Sequence, residues 1–178
     1  MVERKDKCIK INENTYRVRA DVVPTFELKR LKNAYETSVK GIKLISDEGK
    51  SIQNFPKQHK TNGEDKNQRT NSNYKSVVRV IKNLKNNLID DGIIDEKLMP
   101  SFFIESLVWN INDTYFYGTL NRKMILNVLE KLKSDMDNES IAIEYSEINN
   151  LIWLFKGQDR RSPQQASEFL TIAIKEFK

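Results

Sequence analysis

Residues 74 to 88, YKSVVRVIKNLKNNL, decide the fold because they carry the clearest periodic signal in the chain. Apolar residues recur there every three or four positions, which is the spacing of one face of an α-helix. The residues on this face are Val77, Ile81, Leu84 and Leu88. A helix with such a face buries it against other elements, so the segment predicts a packed helical core.

A second face of the same helix is basic. Lys75, Arg79 and Lys82 are at i, i+4 and i+7, so their side chains project together, whereas Lys85 falls off this line. Cations in a line suit a polyphosphate, because the arginine guanidinium binds two phosphate oxygens at once. An ordinary solvated helix face shows the same pattern, and the residues alone leave both interpretations open.

Four further helices are predicted downstream, over 100–111, 119–135, about 140–156, and from Ser162 onward. Ser162 is the expected N-cap of the last helix, with Pro163 at its first position and Gln165 able to complete a capping box. Ser101 lies in the first turn of the helix that follows Pro100. Its hydroxyl can bind phosphate together with the helix N-terminus, or it can simply satisfy the helix end.

Upstream of the central helix, residues 56–73 lack apolar periodicity and predict a basic polar loop. Between Pro56 and Asn86 the chain has eight Lys or Arg residues and two acids. Such an excess attracts phosphate, although most charge runs are solvated faces. Residues 1–55 predict short strands, including a hairpin from Gly41 to Ile52.

Asp21 lies on the polar face of one of these strands, within RVRADVVPTF (17–26). Carboxylates on a sheet hold the paired Mg²⁺ ions of nucleotidyl transfer, but such a site needs more than one of them. A salt bridge from Asp21 to Arg17 or Arg19 is the alternative, and the residues alone favour it.

The chain of 178 residues has a formal net charge of +5, a mean hydropathy of −0.63 and one cysteine, Cys8. No apolar run approaches the roughly 18 residues that span a bilayer. These features predict a cytoplasmic protein without membrane contact. The predicted class is α+β and mostly helical: a small antiparallel β portion over 1–55, the basic loop over 56–73, and a five-helix bundle over 74–178.

Several segments in the same order resemble bacterial nucleotidyltransferases related to oligoadenylate synthase and cyclic GMP-AMP synthase, the CD-NTase group of antiphage signalling enzymes. The segments are YRVRADVVPTF (16–26), the stretch from Gly41 to Thr70, YKSVVRVIKNLK (74–85), PSFFIESLVWNI (100–111) and SPQQASEFLTIAI (162–174). The resemblance covers nearly the whole chain and corresponds to the carboxy-terminal part of such enzymes, including the end of their palm sheet.

The resemblance implies an active site in which nucleoside triphosphates are joined, with Mg²⁺, into linear or cyclic oligonucleotides. Asp21 would be the third metal-binding carboxylate. The implied nucleotide-binding residues are Lys75, Arg79, Lys82, Ser101, Asn62, Lys66, Asn67 and Thr70.

The family's Gly-Ser turn and paired carboxylates should precede Asp21, and the twenty residues before it contain neither. We therefore expect this chain alone not to catalyse nucleotidyl transfer. The expected partner is a missing amino-terminal half, or a second copy bound through exposed strand edges. The alternatives are a non-catalytic nucleotide-binding or RNA-binding helical protein, with RNA less favoured, and an interaction module without a ligand.

Overall fold

The computed structural model describes residues 2–31, 38–157 and 161–178. The chain divides into two units, with the boundary between Lys57 and Gln58. The first unit contains strands and the second contains helices, so the predicted α+β, mostly helical class is confirmed.

The first unit is built from two antiparallel three-stranded sheets. One sheet has the order β1-β2-β3 and the other β4-β5-β6. The strands are β1 (Val2–Arg4), β2 (Ile9–Ile11), β3 (Ala20–Val22), β4 (Phe26–Leu31), β5 (Ser38–Ile45) and β6 (Ser51–Asn54). The hairpin predicted around Gly49 is confirmed: β5 pairs with β6, and Gly49 has the positive φ of 77° that suits glycine in a turn.

The second unit has six α-helices among the residues that the structure describes. They are α1 (Pro56–Arg69), α2 (Asn73–Asp90), α3 (Ser101–Trp109), α4 (Arg122–Met136), α5 (Glu139–Ala142) and α6 (Pro163–Phe177), with a 3-10 turn over Asp113–Phe116. The apolar face of α2 packs into one core with α3, α4 and α6. The capping box of α6, formed by Ser162 and Gln165, is present as predicted.

The predicted loop over 56–73 is wrong, because Pro56–Arg69 forms helix α1. Helix α1 buries Gly63 and Lys66 instead of an apolar stripe, and Asn62 donates a hydrogen bond of 2.6 Å to the carbonyl oxygen of Ile148. A search for apolar periodicity misses such a helix because its buried face consists of glycine and polar side chains.

The helix predicted over 140–156 is also wrong. The helix α5 ends at Ala142, and the following chain forms an irregular turn closed by an antiparallel bridge between Ser146 and Trp153. Asn149 accepts hydrogen bonds from the two backbone N–H groups that follow Asn150, and Asn150 has a φ of 55°. Asparagine side chains that bind the local backbone stabilise turns at the expense of helix.

Residues 70–72 connect α1 to α2, and the last two of them, Asn71 (φ 49°) and Ser72 (φ 67°), lie in the left-handed region. The Ser72 N–H donates to the carbonyl oxygen of Asn67 at 2.8 Å, and the Lys75 N–H donates to the Asn67 side chain at 3.1 Å. These bonds close the connection between the two helices.

In the part of the chain that the structure describes, no helix is both long and apolar enough to cross a membrane.

Replacing Gly63 by alanine tests whether 56–69 is helical. An added Cβ would meet only Ile148 Cγ2, at 3.8 Å, and alanine is favoured over glycine inside a helix by about 1 kcal/mol. We expect the free energy of unfolding of Gly63→Ala to rise by about 0.5–1 kcal/mol in chemical denaturation followed by circular dichroism.

The Gly41→Ala variant provides the contrast. A Cβ at Gly41 would lie 2.6 Å from both the Asn54 carbonyl oxygen and Phe55 Cδ1, so we expect a loss of about 1–3 kcal/mol. A fall in the stability of Gly63→Ala would contradict helix α1.

Candidate functional site

Two cations on the polar face of α2 have no acidic partner among the residues that the structure describes. Arg79 is exposed and Lys75 is half-buried. Neither side chain forms an ion pair with any residue that the structure describes. Since they are four residues apart on one helix, their charges lie close together and are available to an anion.

The third cation of the predicted line, Lys82, is engaged. Its Nζ donates to Glu105 Oε2 of α3 at 2.9 Å, and both side chains are about a quarter exposed. The His59 Nε2 lies 3.7 Å from the other oxygen of Glu105, and the His59 ring stacks on Phe102. The carboxylate of Glu105 therefore offsets the charge of Lys82.

Ser101 is the first residue of α3 and is exposed. Its Oγ accepts a hydrogen bond from Lys85 Nζ at 3.3 Å. Lys85 lies off the basic line and was not among the predicted site residues. Its position, four residues after Ile81 and three before Leu88, is the signal that was missed, because it places a cation on the apolar face of α2.

The four candidates predicted in the loop lie instead on α1 and at its end, where they make structural contacts. The Asn62 amide donates to the carbonyl oxygen of Ile148. The Asn67 side chain accepts from the Lys75 N–H at the start of α2. The hydroxyl of Thr70 donates to the Lys66 carbonyl oxygen at 2.8 Å and accepts from the Tyr74 N–H at 3.2 Å. These contacts occupy side-chain groups that the prediction assigned to a nucleotide.

Lys66 is almost entirely buried. Its Nζ donates to the Ile111 carbonyl oxygen and to Asp113 Oδ1, both at 2.7 Å. Burial lowers the pKa of Lys66, and the interaction with Asp113 offsets only part of this effect. Burial raises the pKa of Asp113, but hydrogen bonds from Lys66 and Arg69 outweigh burial and hold it below its ordinary value.

Asp21 lies in the first unit, on β3, opposite Lys10 of β2. Its carboxylate is exposed and makes no hydrogen bond or ion pair with a described residue, so the salt bridge to Arg17 or Arg19 is not seen among these residues. No group of three metal-binding side chains occurs among the described residues. One carboxylate does not hold Mg²⁺ by itself, because the ion needs an octahedral set of oxygen ligands. A metal site that includes Asp21 would therefore need ligands from outside the described residues.

A cavity of about 430 Å³ lies elsewhere in the helical unit. It is lined by the segment from Thr114 to Asn121 and by the first turns of α4. None of the predicted site residues borders it. The candidate site is therefore the surface formed by α2 and the start of α3, where basic and hydroxyl side chains meet.

This pairing of α2 with α3 lies within the region of the chain that matches a known family. The model described as the cGAS/DncV-like nucleotidyltransferase C-terminal helical domain matches residues 61–178. The chain belongs to this nucleotidyltransferase family. The resemblance seen in the sequence is confirmed.

Relatives within the cGAS/DncV-like family are similar over almost all of this chain. A cyclic dipurine nucleotide synthase of Elizabethkingia meningoseptica is 42% identical over 169 residues, which are 95% of this chain and 57% of the relative. A cyclic dipyrimidine nucleotide synthase of Cecembia lonarensis is 34% identical, over 96% of this chain and 58% of the relative.

A solved structure of the Elizabethkingia meningoseptica cyclic dinucleotide synthase, with GTP and Apcpp, is 40% identical and superposes with a TM-score of 0.89. It is matched over 98% of this chain and 64% of the solved chain. This chain thus spans less than two thirds of the length of each relative.

Replacing Asp113 by asparagine tests the burial of Lys66. The variant leaves a buried ammonium without its carboxylate, which costs about 3–5 kcal/mol for a fully buried pair. Because Asp113 keeps part of its surface in water, we expect a loss of about 1–3 kcal/mol in urea unfolding at pH 7. Glu144→Gln, which removes one member of the exposed pair with Lys156, should change stability by less than about 1 kcal/mol.

The same variant should flatten the acid limb of the stability profile. Because the folded-state pKa of Asp113 is lowered, its contribution is complete above the ordinary aspartate pKa of about 3.9 and is lost as pH falls through the folded-state value. An equally steep acid limb in Asp113→Asn would show that this carboxyl is not linked to folding.

Proposed function

We propose that this chain is the carboxy-terminal portion of a nucleotidyltransferase that makes linear or cyclic oligonucleotide signals from nucleoside triphosphates, as in antiphage signalling. The proposal rests on two cations of α2, Lys75 and Arg79, which form no ion pair with a described residue. They lie on the helix that packs beside α3, which begins at Ser101. The relatives support it, since they are cyclic nucleotide synthases and one of them is solved with GTP and Apcpp.

In this proposal α2 binds and orients the donor triphosphate. The guanidinium of Arg79 presents two donors to phosphate oxygens, while the ammonium of Lys75 supplies a second charge one turn away. Holding the phosphate chain in place aligns the α-phosphate for attack by a ribose hydroxyl, with pyrophosphate as the leaving group. The chain's own cations also stabilise the negative charge on the departing pyrophosphate.

Asp21 is proposed as one metal-binding carboxylate of the complete enzyme. It is exposed and free of ion pairs with described residues, so its oxygens are available. Bound Mg²⁺ would activate the attacking hydroxyl and neutralise phosphate charge. Its remaining ligands would come from a part of the enzyme that this chain does not span.

The first unit presents apolar surface that fits such a partner. Val22, Phe26 and Leu31 are 47%, 65% and 70% exposed, and strands β3 and β4 each lie at the edge of a sheet. Exposed edges pair readily with further strands. We propose that the segment present in the longer relatives covers this surface.

Thermal unfolding with ATP and Mg²⁺ tests the nucleotide site. A ligand that binds only the folded state stabilises it by about 2.7 kcal/mol at 100 times its dissociation constant. We expect a higher unfolding temperature for the parent and no shift for Arg79→Ala. Lys175→Ala removes an exposed cation from α6 and should keep the full shift.

The same assay separates the alternatives. RNA binding would show an affinity that falls steeply with salt and little preference among nucleotides, whereas a triphosphate site prefers ATP over AMP. An unchanged unfolding temperature with every ligand would support the interaction module and contradict a triphosphate site on this chain.

Replacing Glu105 by glutamine releases Lys82 from its carboxylate. The pair is partly exposed, so stability should change by about 0–1 kcal/mol. The freed ammonium should raise the affinity for ATP and Mg²⁺ about two- to fivefold in isothermal titration calorimetry, which corresponds to about 0.4–1 kcal/mol. Glu130→Gln breaks the exposed pair with Lys178 and should leave the affinity unchanged. Weaker binding to Glu105→Gln would exclude Lys82 from the site.

A further inference from the structure

Lys85 is a buried cation that has no anionic partner in the described part of the chain. Lys85 lies on the face of α2 that packs into the core, and only 6% of the residue is exposed. Among the residues that the structure describes, its ammonium makes one hydrogen bond, to Ser101 Oγ at 3.3 Å, and no ion pair. The nearest acid on α3, Glu105, is already held by Lys82 and approached by His59.

Lys66, which is also buried, provides a comparison because its ammonium has a full set of partners. Lys66 is 4% exposed and has a carboxylate and a carbonyl oxygen at 2.7 Å. Three aromatic rings also lie 5.2 to 5.8 Å from its Nζ. Burial of a charge is costly unless it is paired, and one hydroxyl at 3.3 Å gives Lys85 far less compensation. Among the described residues, no carboxylate compensates the charge of Lys85 as Asp113 does that of Lys66.

The start of α3 has unused donors next to this ammonium. Pro100 is the N-cap residue and provides no side-chain acceptor, while Phe103 and Ile104 donate to the Pro100 carbonyl oxygen. The N–H groups of Ser101 and Phe102 make no hydrogen bond with a described residue. Free amides at a helix start favour an anionic ligand.

The direction of the Lys85 hydrogen bond determines what the Ser101 hydroxyl can do. An ammonium has only donors, so the Ser101 oxygen must accept from it. The hydroxyl proton is then free to point away from Lys85. Because Ser101 is exposed, a ligand can reach that proton from solvent.

We propose that Lys85 is a positioning residue of the triphosphate site: it fixes the Ser101 hydroxyl as a donor to a phosphate oxygen. The inference rests on the proposed function and adds to it a residue off the basic line. Lys75 and Arg79 hold the phosphate chain from the polar face of α2. Lys85 lies on the buried face of the same helix and orients the Ser101 hydroxyl toward the phosphate.

Calorimetric titration with ATP and Mg²⁺, and separately with inorganic tripolyphosphate, tests this role. Lys85→Met removes the charge and keeps the length of the side chain. We expect both affinities to fall about tenfold, with an unfolding temperature that is unchanged or higher without ligand. Lys85→Arg should restore most of the affinity. The matched control, Lys131→Met, removes the partner of the buried Asp135 carboxylate on α4 and should lower the unfolding temperature while leaving the affinity of the folded protein unchanged.

A double-mutant cycle shows whether Lys85 acts through Ser101. If it does, Lys85→Met should weaken binding in the parent but add little to the loss already caused by Ser101→Ala. Full additivity would overturn the positioning role. Parental affinity in Lys85→Met, with binding lost in Arg79→Ala, would overturn the inference and leave the proposed function standing.

The remaining outcomes separate the two proposals. Tripolyphosphate binding without ATP binding, with tripolyphosphate affinity lowered by Lys85→Met, would support the phosphate role of Lys85 and contradict the nucleotide function. If neither ligand binds, both proposals are overturned. A lower unfolding temperature for Lys85→Met would then assign Lys85 to the stability of the core.

Discussion

The buried ammonium of Lys66 anchors helix α1 to the rest of the helical unit. It lies on α1, donates to the chain that follows α3, and is enclosed by aromatic rings from α2, α3 and the 3-10 turn. Asp113 binds both this ammonium and the guanidinium of Arg69. Because a charge in this position is tolerated only with its partners in place, helix α1 can pack in one arrangement although it has no apolar stripe.

Helix α2 combines two roles that depend on each other. Its inner face contributes Tyr74, Val77 and Ile81 to the core, which fixes the rotation of the helix about its axis. Once that rotation is fixed, the direction of the basic face follows from the helical repeat. Core packing therefore determines where Lys75 and Arg79 present their charges, and a change in the core would redirect them.

The elements that the sequence predicted correctly are those whose signal is local. The apolar stripe of α2 and the Ser162 capping box of α6 depend on residues within one or two turns. The errors concern elements held by distant contacts. Helix α1 is held through Lys66 and Asp113, and the turn around Asn149 receives a hydrogen bond from Asn62 of α1 to the Ile148 carbonyl oxygen. Lys85 was missed for a related reason, since its meaning depends on Ser101, sixteen residues away. The resemblance indicated the family, but it did not indicate that Lys82 and Lys66 are engaged, because their partners Glu105 and Asp113 are distant in the sequence.

The left-handed pair Asn71 and Ser72 has a mechanical consequence. Residues 56–90 read as one helix would form a rod about 50 Å long. Two non-glycine residues in the left-handed region cost roughly 1–2 kcal/mol each, and the bonds to Asn67 help to offset that cost. The connection between α1 and α2 is thus a rigid turn and does not act as a hinge. The angle between α1 and α2 is therefore fixed by the connection itself, and it sets the direction in which the basic face of α2 points relative to α1.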